Sequence, residues 1–240
     1  MDSPSYVALT RQTGLLKEIQ IVANNIANSA TSGYRAEGVV FAEMISAGNS
    51  EGGSISMTDA RVRYTHEREG VFSKTNGTFD LAIQNDGYFQ VETPNGVRLT
   101  RNGSFTPNAI NELVTLDGYR VLDAGGAPIF VPPDAGTISF APDGTMSNQE
   151  GPIAQIGLVR ADEFSTLVRE DGVFFRATEG TVPVENPGVV QGFVEGSNVN
   201  AVIEIARLIE VQRAYESGQK FLEKEDERIR SVVRTLGAAK

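Results

Sequence analysis

The chain has 240 residues, 40% of them hydrophobic, a formal net charge of −10 and an isoelectric point near 4.7. That balance argues against a phosphate backbone or an anionic membrane as the main partner. It has no cysteine, which excludes a disulfide framework and thiolate zinc sites, and no apolar run of about eighteen residues that would span a membrane as a helix.

The opening residues, Met1 to Pro4, are polar, so no cleavable signal sequence is expected. A helix is predicted over about residues 5–29. Leu9, Leu16 and Ala23 lie on a seven-residue line, and Gln12, Ile19 and Ile26 lie on a partner line three residues further on. This is a coiled-coil register, weakened slightly at Gly14. The run ends in Asn24, Asn25 and Asn28, then Thr31, Gly33 and Tyr34. Asparagine competes for backbone hydrogen bonds, and Gly33 permits the positive φ of a tight turn.

Residues 31–74 read as an irregular connector with short strands. Val39 to Ile45 is apolar, a Gly/Ser/Asn loop follows at 48–53, and 54–63 alternates moderately. The single histidine, His66, stands beside Glu67 and Glu69. A metal site needs more ligands of its kind, so a solvated residue is expected.

From 75 to 184 the period changes to two. Phe79, Leu81 and Ile83 alternate with polar or small neighbours, and Tyr88 to Val91 continues as a strand. Turn signals at Asn85-Asp86-Gly87, Pro94-Asn95-Gly96, Asn102-Gly103 and Asp117-Gly118 recur every eight to twelve residues, the spacing of an antiparallel β domain. Asp143 to Glu150 lacks the alternating ligands of a calcium loop and reads as a hairpin turn. Phe174 and Phe175 form the last apolar strand. Pro183, Pro187 and Gly188 return the chain towards its end through a second connector segment, 185–196.

The last forty or so residues form one predicted helix, from about Asn198 to Leu236, roughly 55–60 Å long at 1.5 Å per residue. Steps of seven from Ala201 meet Leu208, Tyr215, Leu222, Ile229 and Leu236 without touching a charge. Ile205, Val211, Val232 and Val233 serve the second seam position, while Gly218 and Asp226 weaken it. Ser197 and Asn198 are the cap candidates. Glu204 with Arg207, Glu210 with Arg213 and Glu216 with Lys220 have the spacing of pairs along a helix. Each large apolar side chain left unburied forgoes about 1.5–3 kcal/mol. The seam therefore predicts cover from the first helix and from neighbouring molecules.

Three motifs carry a resemblance. The first is Ala23-Asn24-Asn25-Ile26-Ala27-Asn28 with Thr31, Gly33, Tyr34 and Arg35. The second is Gly87-Tyr88-Phe89-Gln90-Val91 with Thr100-Arg101-Asn102-Gly103-Ser104-Phe105. The third is Asn198, Asn200 and Glu204 with Gln212-Arg213-Ala214-Tyr215-Glu216. In this order they resemble bacterial flagellar rod and hook proteins across nearly the whole chain. Ala109-Ile110-Asn111-Glu112 departs from that pattern, because the family usually has glycine in the turn there. The short length and Arg35-Ala36-Glu37 are most like a proximal-rod member; longer distal-rod and hook members are the alternatives.

The resemblance implies a structural subunit that assembles with other rod proteins and with copies of itself into a tubular drive shaft. It implies passage through the flagellar export apparatus and a periplasmic place in the basal body. The expected subunit contacts are Leu9, Leu16, Ile19, Ala23, Ile26, Ala201, Ile205, Leu208, Val211, Tyr215, Leu222, Ile229, Val233 and Leu236. The expected fold is α+β, with terminal coiled-coil-like helices (1–30 plus 197–240) flanking a mainly antiparallel β domain. No phosphate loop, catalytic dyad or isolated carboxylate pair is legible, so no enzyme activity, cofactor, metal, nucleic acid or small-molecule substrate is expected. A secreted oligomeric binding module is the competing reading.

Overall fold

A computed structural model describes residues 3–46, 55–162 and 166–238, so the loop expected at 48–53 lies outside the described residues. The chain divides into two compact units. The first draws on 1–27, 36–66 and 199–240, and the second on 28–35 and 67–198.

The first unit holds two helices and a hairpin. Helix α1 spans Ser3–Ala27 and α2 spans Ala201–Ala238. Strand β1, Glu37–Ser46, pairs antiparallel with β2, Ile55–Thr65, and α1 packs on both strands and on α2. The connector expected to have only short strands thus contains strands of 10 and 11 residues. A register shift between Val40 and Phe41 breaks the alternation that would have announced them. The cap of α2 also lies two residues beyond the nearer expected residue, Asn198. Asn200, not Ser197 or Asn198, accepts the amides of Val202 and Ile203 through Oδ1, at 3.1 and 3.3 Å.

The second unit is the antiparallel β structure anticipated from the period-two pattern. Tyr88–Thr93 is central to a nine-stranded sheet, counted among the described residues. It pairs with Gly96–Thr100 on one side and with Arg120–Val121 and Leu158–Ala161 on the other. Leu81, Phe89, Val91, Leu113, Val121, Met146 and Phe175 are fully buried. Phe89 meets Phe105 edge-to-face at 5.1 Å.

The β unit reaches beyond 75–184 because its entering and leaving strands pair with one another. Phe72–Lys74 joins Phe193–Glu195, and Leu81–Gln84 joins Gly188–Gln191. At the departure near Ala109, Asn111 takes φ +61° in place of glycine. Asn108 Oδ1 accepts the amides of Ile110 and Glu112, closing the hairpin. In the turn at Asp143, the carboxylate accepts the Thr145 amide and hydroxyl, both at 2.9 Å, and these bonds hold its pKa below the usual carboxylate range.

Candidate subunit interface

The two helices run antiparallel, as three cross-helix contacts show. Asn25 meets Glu204 at 3.3 Å, Glu18 meets Arg207 at 2.8 Å, and Gln12 Nε2 donates to the Tyr215 carbonyl at 2.9 Å. Arg207, expected to pair with Glu204 along its own helix, grips Glu18 with both Nε and Nη2. That bond is the chief cause raising the Arg207 pKa. Gly218 is not a weak point in the seam. A Cβ there would stand 2.6 Å from Gln12 Nε2, so the missing side chain is what lets Gln12 reach the helix backbone.

Overlap stops where α1 begins. Helix α2 has 38 residues and α1 has 25, so 13 residues of α2 overhang, about 20 Å at 1.5 Å per residue. Up to Leu222 the seam is covered: Ala201, Leu208, Tyr215 and Leu222 are half-buried and Val211 is buried. Past it Ile229, Val232, Val233 and Leu236 are exposed, the last by 69%. Helical spacing keeps them near the face that α1 covers earlier, so the cover has run out rather than the stripe turning away.

On α1 the two predicted lines part. Gln12 is buried and Ile19 and Ile26 are half-buried, whereas Leu9, Leu16 and Ala23 are exposed. Leu9, Leu16 and Ala23, expected as subunit contacts, therefore lie outside the packing of the two helices. The inner face is completed instead by Glu18, Ile21, Val22 and Asn25. On α2, Ile205, Ile209, Gln212 and Glu216 recur at steps of four, three and four and form a second exposed stripe, with Arg213 exposed beside it.

Between α1 and α2 a half-open groove of about 560 Å³ is lined by Val7, Ala8, Leu15, Ala214 and Phe221, with Gln12 within it. Gln12 Oε1 is buried and has no hydrogen-bond partner among the described residues.

The family-motif residues divide by role. Asn25 is a backbone clip: its Oδ1 accepts the Glu37 amide and its Nδ2 donates to the Glu37 carbonyl, both at 2.9 Å. In the other unit, Thr31 donates its amide to the Asn28 carbonyl, and Tyr34 donates to that of Thr31. Gly33 has φ +71°, and a Cβ there would meet the Asn102 nitrogen at 2.2 Å. Tyr34 is buried under the Arg169 guanidinium, 4.5 Å from its ring centre. Asn198 donates its amide to the Tyr34 carbonyl and its Nδ2 to that of Arg68. Asn24 lies exposed on the last turn of α1.

Sequence reasoning missed a buried charge cluster in the β unit. Glu195 accepts from Arg35 at 2.8 Å, Arg101 at 2.7 Å and the Gly70 amide at 3.0 Å. Arg101 also donates to the carbonyls of Ile83, Asn85 and Gly87. Burial pushes the Arg35 pKa below its ordinary value, with Glu195 acting the other way. Arg35 and Arg101 stood in the quoted motifs, but nothing local marked Glu195 as their shared acid. No helix among the described residues is long and apolar enough to cross a membrane.

Three family models match the chain: "Flagella basal body rod protein" over 6–35, "Flagellar hook protein FlgE/F/G D1 domain" over 82–148, and "Flagellar basal body rod FlgEFG protein C-terminal" over 190–235. A Caulobacter vibrioides protein named flagellar basal-body rod protein FlgF is 40% identical, over 99% of each chain. A FlgF from Mesorhizobium japonicum is 36% identical over 99% of each. A FlgG from Bacillus subtilis is 30% identical, over 95% of this chain and 97% of its own.

Proposed function

Since this chain belongs to the flagellar basal-body rod proteins, and is a structural subunit of the rod, we propose that its uncovered helical stripes are the surfaces by which it assembles. Rod subunits assemble with other rod proteins and are part of the flagellum. The finer reading is a subunit of the proximal rod. It contacts other rod subunits and copies of itself, is handed through the flagellar export apparatus and resides in the periplasm. Its role is mechanical rather than catalytic.

The observation that carries this reading is the uncovered overhang of α2, with Leu9 and Leu16 exposed on α1. Apolar side chains in this arrangement gain their burial only on assembly, and a contact between two different surfaces propagates into a helical tube instead of closing. The full α2 stripe and the α1 line from Leu9 to Ala23 are then subunit contacts, as are the Ile205, Gln212 and Glu216 face and Arg213 beside it.

The test uses Leu16→Asp and Leu236→Asp, both at exposed positions. Cells carrying either change should lose motility and rod incorporation while the purified protein keeps its β-unit melting transition. Normal motility with both changes would refute the assignment of these stripes.

A further inference from the structure

We infer that Asn95 is a site of spontaneous covalent modification, at which the side-chain amide is lost and aspartate and isoaspartate are formed. The inference is independent of the rod reading.

The sequence has three Asn-Gly pairs, Asn76-Gly77, Asn95-Gly96 and Asn102-Gly103. The reaction is intrinsic to such a pair. The glycine main-chain nitrogen attacks the asparagine Cγ, a bond forms between them, and the Cγ–Nδ2 bond breaks. The proton of the attacking nitrogen leaves with Nδ2 as ammonia. Water then opens the five-membered imide at either carbonyl, giving aspartate or isoaspartate. Glycine favours the attack because no Cβ stands in the way. All three pairs share that advantage, so the fold decides among them.

Two of the pairs are held. Asn102 is half-buried, and its Oδ1 accepts the Ser104 amide at 3.1 Å. Gly103 beside it is buried so closely that a Cβ there would overlap the Leu81 carbonyl oxygen. Asn76 is exposed, but its amide and that of Thr75 both donate to the Gly192 carbonyl, at 3.1 and 2.9 Å. The attacking nitrogen of that pair, on Gly77, donates to Thr75 Oγ1 at 3.2 Å. Reaction at either pair first breaks these bonds.

Asn95 lacks such restraints. It lies with Pro94 in the turn between Tyr88–Thr93 and Gly96–Thr100, and the four residues from Pro94 to Val97 are all exposed. Its side chain forms no hydrogen bond among the described residues. The space beside Gly96 is open, with only the tip of Arg98 within 4 Å of an added Cβ. What fixes the turn is the closing pair of the hairpin, Thr93 with Gly96, and the Thr93 hydroxyl donating to the Gly96 carbonyl at 2.8 Å. The end of a hairpin opens locally at low cost. Opening there frees the Gly96 nitrogen without disturbing the sheet below. Each event adds a negative charge to the tip, and isoaspartate also carries the main chain through an extra carbon.

The test incubates purified full-length protein at mildly alkaline pH, with and without urea. Its peptides are then followed by mass spectrometry, with chromatographic separation of aspartate from isoaspartate products. In the folded protein Asn95 should convert about tenfold faster than Asn76 or Asn102, the factor set by the hydrogen bonds those two must break. In urea the three rates should converge. Equal rates in the folded protein overturn the inference, as does the absence of conversion at Asn95. A spread that persists in urea also overturns it, because the fold would then not be what selects Asn95.

Discussion

Glu195→Gln probes the buried charge cluster directly. Glu195 is 1% exposed, and its partners Arg35 and Arg101 are 3% and 2% exposed. Its two oxygens receive two guanidinium groups and the Gly70 amide. Glutamine keeps the shape but removes the charge and turns a donor towards one of the arginines. Neutralising one partner of a buried ion pair costs about 3–5 kcal/mol, because the remaining charge stays buried without compensation. At about 2–4 °C per kcal/mol for a unit of this size, the β-unit transition should fall by roughly 10 °C or more in scanning calorimetry of the full chain. A companion variant sharpens the reasoning. Adding Arg35→Met to Glu195→Gln removes one of the stranded charges and should recover more than about 1 kcal/mol of the loss, a non-additive result expected of groups in one network. A fall of less than about 3 °C for Glu195→Gln, or strict additivity in the double variant, would show that the cluster is not held together in this way.

Three further outcomes follow from the geometry. Gly33→Ala should destabilise the β unit by more than about 2 kcal/mol, since the new Cβ would meet main-chain atoms of Arg101 and Asn102 and φ is +71°; an unchanged urea midpoint would contradict it. Asn25→Ala should cost the helical unit about 2–4 kcal/mol, because the Glu37 amide and carbonyl both lose their buried partner; amide exchange at Glu37 should rise accordingly, and unaltered protection would count against the clip. Hydrogen bonding to Arg176, and then to Arg98, holds the Glu170 pKa below its usual value. Its stabilising contribution is therefore present above the unfolded pKa of about 4.3 and lost as pH falls through the lower folded value. The difference in melting temperature between the native protein and Glu170→Gln should shrink below about pH 4, and a difference constant down to pH 3 would contradict this.

Much of the fold was legible because its signals are local. The seven-residue steps on α1 and α2, the period-two runs from Phe79 onward and the Asn-Gly and Asp-Gly turns are read from neighbours within a few positions. The β1–β2 hairpin escaped because the shift at Val40 and Phe41 disrupts its alternation. The cap at Asn200 was missed because Ser197 and Asn198 offer equally good chemistry, and only the backbone path decides which residue stands at the helix entrance.

The candidate site was legible to the same extent. Periodicity picked out seven-residue lines on both helices but not Ile21, Val22 or Ile209, and it cannot say which of two stripes its own chain will cover. Gln12 reaches Tyr215 across 203 residues, and Arg101 reaches Glu195 across 94. No pattern within a short window encodes such pairings. By itself the amino-acid order determined that two amphipathic terminal helices would flank a β structure along the chain and that their combined apolar surface would exceed what one chain can bury. Only the tertiary structure decided that Leu9 and Leu16 face outward, that Gly218 admits Gln12, and that cover ends near Leu222. Those outcomes depend on where a 25-residue helix starts against a 38-residue one, and that alignment is set by contacts between distant parts of the chain.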